Sequence, residues 1–399
     1  MHMSSLSKSL VSTGFFVSIT QLISFFSLPY IGFLAGPDEF GLYNYLTAYV
    51  VIFSVIISLK SEYLFYVLDD SDRNKVWAIF NLVILSITVI FFTYLCITKF
   101  SNFYFVIGVW AAILSYVYFE FIIQDNVSRG EFKKNSINRV LRAILFPFFC
   151  FVIHFLFVLN ASGILFSFAI SSLTPLLTNR DQKIDSIKQS VQLIKSILPK
   201  VIHNAYTLVP AHFLKQYSIF SVLIIGGFFG ANNFEMGIFS MAFKFIISPT
   251  AIISTAVGEI FRKKLKDDLS GALAFYKKIV FYIVPIAAIG LFIVSYFGVF
   301  IESYLLSGRW NGISDYFTVL SPLAFVLVCL SPFTYIYIAV NKQEYDLYWQ
   351  ILNSIIVTLS LLVGFSFGFY YGVFMYSVSY SCSIILSSVI CFKLIKGVK

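Results

Sequence analysis

Apolar runs that repeatedly exceed 18 residues leave this 399-residue chain few ways to fold. A run of that length is what an α-helix needs to cross a bilayer. Twelve runs can be traced, at about 10–34, 42–66, 76–98, 102–124, 140–159, 162–178, 201–229, 237–261, 274–298, 316–340, 346–369 and 371–392. The sixth is short and the last two are nearly continuous. Only 12% of residues are charged and 59% are hydrophobic. A soluble domain carries about 25% charged residues, so there is too little polar surface here to solvate a globule. The expected fold class is an all-α membrane protein of about twelve transmembrane helices. The first run is longer than the ~7–15-residue apolar core of a secretory signal, and no small-residue cleavage site follows it. It is read as a span.

Charge sets the expected orientation. With the N-terminus on the cytoplasmic side, 23 Lys and Arg fall on that side and two, Lys99 and Arg309, on the other. Lys60, Lys215 and Lys244 lie within spans. Lys and Arg concentrate in cytoplasmic loops, so both termini are expected inside. This asymmetry accounts for the net charge of +9, and no nucleic-acid partner is implied. Residues 178–200 carry Ile184, Ile187, Val191, Ile194 and Leu198 at three- or four-residue spacing, with Lys183, Lys188 and Lys195 between them. That pattern predicts an amphipathic helix lying on the membrane lipid. It divides the chain into an N-terminal six-helix bundle (1–178), a cytoplasmic linker (179–199) and a C-terminal six-helix bundle (200–399).

The two halves echo each other. Ala35-Gly36-Pro37-Asp38-Glu39-Phe40-Gly41 forms a turn between the first two runs. About 196 residues later Ala231-Asn232-Asn233-Phe234-Glu235-Met236-Gly237 does the same, with Gly237 where Gly41 stood. A repeat at half the chain length suggests two facing structural halves around a central cavity. Eight prolines lie within the spans, among them Pro29, Pro210, Pro249 and Pro285. Each removes a backbone hydrogen bond and permits a bend.

Polar groups inside the spans are the candidate site, because an intramembrane charge costs at least ~2.5–3.5 kcal/mol at a helix centre. Lys215 lies mid-span, beyond snorkelling reach, with His212 and Gln216 on its side of the helix. Lys244 shares a stripe with Ser240, Ser248, Thr255 and Glu259. The first span carries Gly14, Ser18, Gln21 and Gly32 on one arc, and the second Asn44, Thr47, Ser58 and Glu62. Spans 1, 2, 7 and 8 are therefore expected to line a cavity holding cationic groups. The alternative is a buried network in which Lys215 and Lys244 pair with Glu62, Glu120 or Glu259 and only hold helices together. Lys60 sits near the cytoplasmic end, and its helical projection turns it away from Glu62, so snorkelling is expected. The candidate substrate contacts are Lys215, Lys244, His212, Gln216, Gln21 and Lys60. Glu62, Glu120 and Glu259 are the candidate carriers of a coupling ion, H⁺ or Na⁺. His154 and His203 read as satisfied core residues, and Arg309-Trp310 as an interfacial anchor.

Several functions lack their signatures. There is no Walker motif and no glycine-rich phosphate cradle. No His/Cys/Asp cluster offers a metal site, and nothing marks a catalytic constellation. The five cysteines fall in apolar runs and read as small hydrophobes. No cofactor is expected, and the outer loops are too short to form a catalytic domain.

Four stretches resemble the Wzx-type polysaccharide (O-antigen) flippases of the multidrug/oligosaccharidyl-lipid/polysaccharide (MOP) superfamily. They are Leu28-Pro29-Tyr30 with Asp38-Glu39-Phe40-Gly41-Leu42-Tyr43, its echo after the seventh span, Leu306-Ser307-Gly308-Arg309-Trp310 leading to Leu320-Ser321-Pro322, and Asn341-Lys342-Gln343. The likeness runs over nearly the whole chain. It implies two six-helix bundles in a V around a central cavity. It also implies transfer of an undecaprenyl-diphosphate-linked oligosaccharide to the outer leaflet of a bacterial inner membrane. The partners it implies are a polysaccharide polymerase and a chain-length regulator. In such proteins lumen cations meet the anionic headgroup, and Lys215 and Lys244 lie on helices where that role would sit. The alternatives are a drug/cation antiporter of the same superfamily and a membrane-embedded transferase or polymerase acting on lipid-linked sugar.

Overall fold

The computed structural model describes residues 5–66, 73–97, 103–178, 187–267, 269–296, 298–300, 302–303, 308–334, 336–337 and 343–397. Within some helices the side chains fall outside that description, those of Ser248, Thr255, Glu259 and His203 among them. Residues 179–186 of the expected linker lie outside it too; helix begins again at Ile187.

The described residues form helices and turns, with no strand. The helices are α1 (Ser5–Ser58), α2 (Arg73–Ile97), α3 (Phe103–Ser128), α4 (Phe132–Leu156), α5 (Ala161–Ser172), α6 (Pro175–Thr178) and α7 (Ile187–Phe228). There follow α8 (Asn233–Asp267), α9 (Leu269–Tyr296), the short α10 (Gly298–Phe300), α11 (Ile313–Leu330), α12 (Gln343–Phe365) and α13 (Phe369–Gly397). Helix stands at each of the twelve expected spans. Among the described residues, nine helices are long and apolar enough to cross a membrane, with α1 counted once. This is a multi-pass membrane protein.

The expected turn at 35–41 is narrower than the sequence suggests. Only Gly36 leaves helical geometry, at φ 78° and ψ 168°, and Pro37 opens the second arm. A positive φ costs glycine little, and proline suits the first position of a helix because its missing N–H would be unpaired there anyway. The echo starts differently. Asn232 Oδ1 accepts from the Glu235 N–H at 2.7 Å, and Glu235 Oε2 accepts from the Asn232 N–H at 3.3 Å. This reciprocal pair of caps satisfies two N–H groups at the start of α8.

The chain forms two compact units that do not follow chain order. Unit 1 comprises residues Met1–Ser24 and Leu46–Gln216, and unit 2 comprises Phe25–Tyr45 and Tyr217–Lys399. In unit 1, α3 packs against α2, α4, α5 and a 3₁₀ segment, Ser61–Tyr66. Phe65, Trp77, Phe80 and Phe121 form its aromatic core, with ring centroids 4.9–6.2 Å apart. Asp125, with no exposed surface, is held between Arg73 and Arg129. Arg73 Nη2 also donates to the Asp125 carbonyl at 2.8 Å and to Ser128 Oγ at 3.0 Å. A buried carboxylate is tolerated when it is paired and hydrogen-bonded in this way.

In unit 2, α11 packs against α8, α9 and α13, and α12 and α13 form a tight hairpin. The segment Phe25–Tyr45 lies along α8. The two echoed glycines are what allow this. A Cβ on Gly41 would lie 2.6 Å from the Gly237 nitrogen and closer still to the Asn233 carbonyl oxygen. A Cβ on Gly237 would lie 2.8 Å from the Pro37 carbonyl carbon. Each glycine therefore presents bare backbone to the other's turn. Trp310 closes over Gly32, with its ring 5.6 Å from that of Phe40. It is 0% exposed, so the expected interfacial anchor is instead a core residue of unit 2. Arg309 lies beside it, its guanidinium 6.0 Å from the Phe33 ring.

Candidate functional site

The candidate residues fall into two groups, one in each unit. In unit 1 the second arm of α1 ends at Ser58, and the chain passes through two left-handed residues, Leu59 (φ 50°) and Lys60 (φ 52°). Non-glycine residues seldom adopt this conformation. The break overturns the helical projection that turned Lys60 away from Glu62. Lys60 Nζ lies 2.9 Å from Glu62 Oε1, and their side chains are 13% and 2% exposed. Lys60 is thus an ion-pair partner within unit 1 and does not snorkel.

Glu62 shares a small polar cavity with Glu120. Ser54, Ser58, Lys60, Tyr116, Val117 and Phe121 complete the lining. Its volume of about 10 Å³ is close to that of one water probe. Glu62 Oε2 is buried and has no hydrogen-bond partner among the described residues. Tyr63 stacks on His212 with centroids 5.4 Å apart, and Lys60 Nζ lies 5.8 Å from the Tyr63 ring. Lys60 and Lys215 are both within electrostatic range of His212. The structure therefore brings together Lys60, Glu62, Glu120, His212 and Lys215.

Lys215 is exposed, and no described carboxylate pairs with it. Glu62, one of its expected partners in the network alternative, pairs with Lys60 instead. Gln216 and Gln21 are half-buried, also in unit 1. The side chain of Glu259 lies outside the described residues.

Lys244 belongs to unit 2. Gly237 and Lys244 stand seven residues apart on α8, two turns along one face. The seam that closes at the glycines therefore continues to the lysine. There Nζ lies 5.0 Å from the Phe40 ring and 5.4 Å from the Tyr43 ring. Both rings are buried. Among the described residues no carboxylate faces Lys244. The negative faces of aromatic rings attract the ammonium without neutralising it.

Sequence reasoning did not find three members of the unit 1 site. Tyr63 and Tyr116 carry no signal in a span already rich in aromatics. Arg142 reads as one more cytoplasmic charge, yet its guanidinium lies 4.4 Å from the Phe119 ring, 4.8 Å from Phe168 and 5.7 Å from Tyr116. Among the described residues, no group of three or more His, Cys, Asp or Glu side chains could hold a metal ion.

No protein-family model matches the sequence, and no curated protein matches it. Solved structures do. The chain is similar to "Lipid II flippase MurJ, inward closed conformation" with a TM-score of 0.69 at 14% identity, over 97% of this chain and 87% of that one. It is also similar to an inward-facing multidrug resistance MATE family transporter of the MOP superfamily. There the TM-score is 0.61 at 11% identity, over 96% and 98% of the two chains. The Vibrio cholerae MATE transporter VcmN in its bent form gives 0.53 at 12%, over 99% and 98%. The fold is shared with this flippase and these transporters. At these identities the likeness fixes the fold, and the chemistry must be argued from the side chains.

Proposed function

We propose that this chain is a flippase. It moves an undecaprenyl-diphosphate-linked oligosaccharide, an O-antigen or related surface polysaccharide repeat unit, from the cytoplasmic to the periplasmic leaflet of the inner membrane. Both termini are cytoplasmic in this reading, and the two halves alternate in access. The polymerase and chain-length regulator implied by the resemblance act on the product. The observation that carries the reading is Lys244: a cation within a span, offset by two aromatic rings and by no described carboxylate. Such a group retains attraction for an anion, and a diphosphate supplies one. Lys215 adds a cation in the other unit.

A drug/cation antiporter of the same superfamily is favoured by one feature, the Glu62–Glu120 pair. Its cation position, however, is already filled by Lys60. The test is the sidedness of lipid-linked oligosaccharide in cells lacking the gene. Repeat units are expected to accumulate on the inner leaflet, to be relieved by wild type, and not to be relieved by Lys244→Met. Normal delivery to the outer leaflet without the gene, in a strain with no second flippase, would refute the reading. Relief by Lys244→Met equal to wild type would remove the lysine from it.

A further inference from the structure

Of the two basic residues that the charge pattern places on the outer side, Arg309 lies within the described residues. Its loop, in unit 2, is tied down. The Gly308 N–H donates to the Glu302 carbonyl at 3.3 Å, and Gly308 and Gly312 turn the chain at φ 67° and 89°. Both carboxylate oxygens of Glu302 are spent on the start of α11. Oε1 accepts from the Gly312 N–H at 3.0 Å, and Oε2 from the Ser314 N–H at 3.3 Å and the Ser314 hydroxyl at 2.9 Å. Trp310 is wedged between Gly32 and Phe40. Arg309, next to it, is exposed, and among the described residues it forms no ion pair. Its guanidinium lies 6.0 Å from the Phe33 ring. Phe33 ends a stripe: Phe26, Tyr30 and Phe33 follow one another at four and three residues on the first arm of α1, and all three are exposed. That spacing puts them on one face, over about 10 Å of helix. Phe40 links this place to Lys244, its ring lying 5.6 Å from Trp310 and 5.0 Å from Lys244 Nζ.

We propose that Arg309 and the Phe26–Tyr30–Phe33 stripe form an outer-leaflet binding site for a polyprenyl diphosphate. This rests on the flippase reading and extends it: Lys244 meets the headgroup within the span, and Arg309 receives it on the outer side. A guanidinium presents a planar fork of N–H donors that bonds two oxygens of a diphosphate at once. Glu302 does not compete for that fork, because its oxygens bond the start of α11. On the proposed orientation Phe33 stands at the outer end of its span, and the stripe descends from it into the hydrocarbon. The cation is therefore at the depth of a lipid headgroup, and the exposed rings are at the depth of its chain. The isoprene units next to the diphosphate pack on those rings and take apolar surface out of contact with the headgroup region. A polyprenol lacks the anion that Arg309 binds, and inorganic diphosphate lacks the chain that the stripe binds.

The test is protection of Arg309 from phenylglyoxal, which modifies guanidinium groups. It is read by peptide mass spectrometry on the full-length chain in phosphatidylcholine nanodiscs. Undecaprenyl diphosphate at about ten times its half-protecting concentration is expected to slow modification of Arg309 about tenfold. Undecaprenol, inorganic diphosphate and phosphatidylglycerol at the same concentration are each expected to slow it less than about twofold. Phe26 is 71% exposed, so Phe26→Ser keeps the fold. It is expected to raise the half-protecting concentration of undecaprenyl diphosphate about tenfold. Equal protection by phosphatidylglycerol would make Arg309 a general contact for anionic lipid and overturn the proposal. Equal protection of Arg129, which is paired with Asp125 in unit 1, would show a non-specific effect and also overturn it. An unchanged half-protecting concentration in Phe26→Ser would overturn the part given to the stripe. Absence of protection would overturn the site and leave the flippase reading to the sidedness assay. Protection of Arg309 together with normal sidedness in cells lacking the gene would refute the flippase reading and leave the lipid site.

Discussion

Lys60 and Lys244 are two lysines in apolar surroundings whose charges are offset by different means. Lys60 has a carboxylate at 2.9 Å, supplied by a residue only two positions away through a broken helix end. Lys244 has two ring faces at 5.0 and 5.4 Å, supplied by a segment about 200 residues away that two glycines bring against α8. A carboxylate cancels the charge; a ring face only makes it tolerable. Each cation–π contact contributes about 0.5–2 kcal/mol, against a cost of roughly 2.5–3.5 kcal/mol for a lysine at the centre of a span. One lysine therefore sits in a near-neutral pair whose breaking is costly. The other is close to energetic balance and retains its field.

The largest expected effect comes from breaking the pair. Lys60→Met leaves Glu62 buried and uncompensated, which should destabilise the chain by about 3–5 kcal/mol. Thermal aggregation in detergent would report this as a large drop in midpoint. The double variant Lys60→Met/Glu62→Gln should recover most of the loss, since neither charge then remains. If Lys60→Met alone is mild, the pair is better hydrated than its geometry suggests, and the contrast with Lys244 weakens.

The next effect tests the seam. Gly237→Ala puts a methyl group against the Pro37 carbonyl, backbone that cannot swing aside. Overpacking of this kind costs about 1–3 kcal/mol. It should also part Phe40 and Tyr43 from Lys244 while leaving Lys60–Glu62 untouched. Reaction of Lys244 with a water-soluble amine reagent, followed by peptide mass spectrometry, should therefore rise in Gly237→Ala. Unchanged labelling would mean that the rings stay on the lysine without the glycine contact.

How far these features could be read in advance depended on the range of the interaction. Helix at the twelve spans follows from run length, a local property, and the structure has it. The echo of Gly41 by Gly237 is visible in the sequence as a register, but the reciprocal contact that explains it is tertiary. The stretch 35–41 reads as a seven-residue turn because it holds Gly, Pro and Asp together. In fact Gly36 alone bends the chain, and Pro37 restarts the helix. Lys60 was misplaced because helical projection assumes 100° per residue, and Leu59 and Lys60 abandon the helix. Trp310 looks like an anchor because Arg-Trp pairs commonly sit at interfaces. The ring is buried because Gly32 leaves a space for it, a fact recorded about 280 residues away in the chain.

The smallest effect on stability, and the last refinement of the comparison, concerns Lys215. It is exposed and forms no described ion pair, so it resembles neither Lys60 nor Lys244. Lys215→Ala should not destabilise the chain, because no described ion pair is lost with it. Its charge nevertheless lies within electrostatic range of His212, which stacks on Tyr63 beside Lys60. If an anion is drawn to that group, Lys215→Ala should weaken binding of undecaprenyl diphosphate, and Lys215→Arg should retain it. The loss in Lys215→Ala should shrink as salt is raised, because the field of an exposed charge is screened within about 8–10 Å at physiological ionic strength. A loss independent of salt would instead point to a direct, desolvated contact with the headgroup, and Lys215 would then join Lys244 as a cation kept for an anion. No loss at any salt would confine the attraction in unit 1 to Lys60.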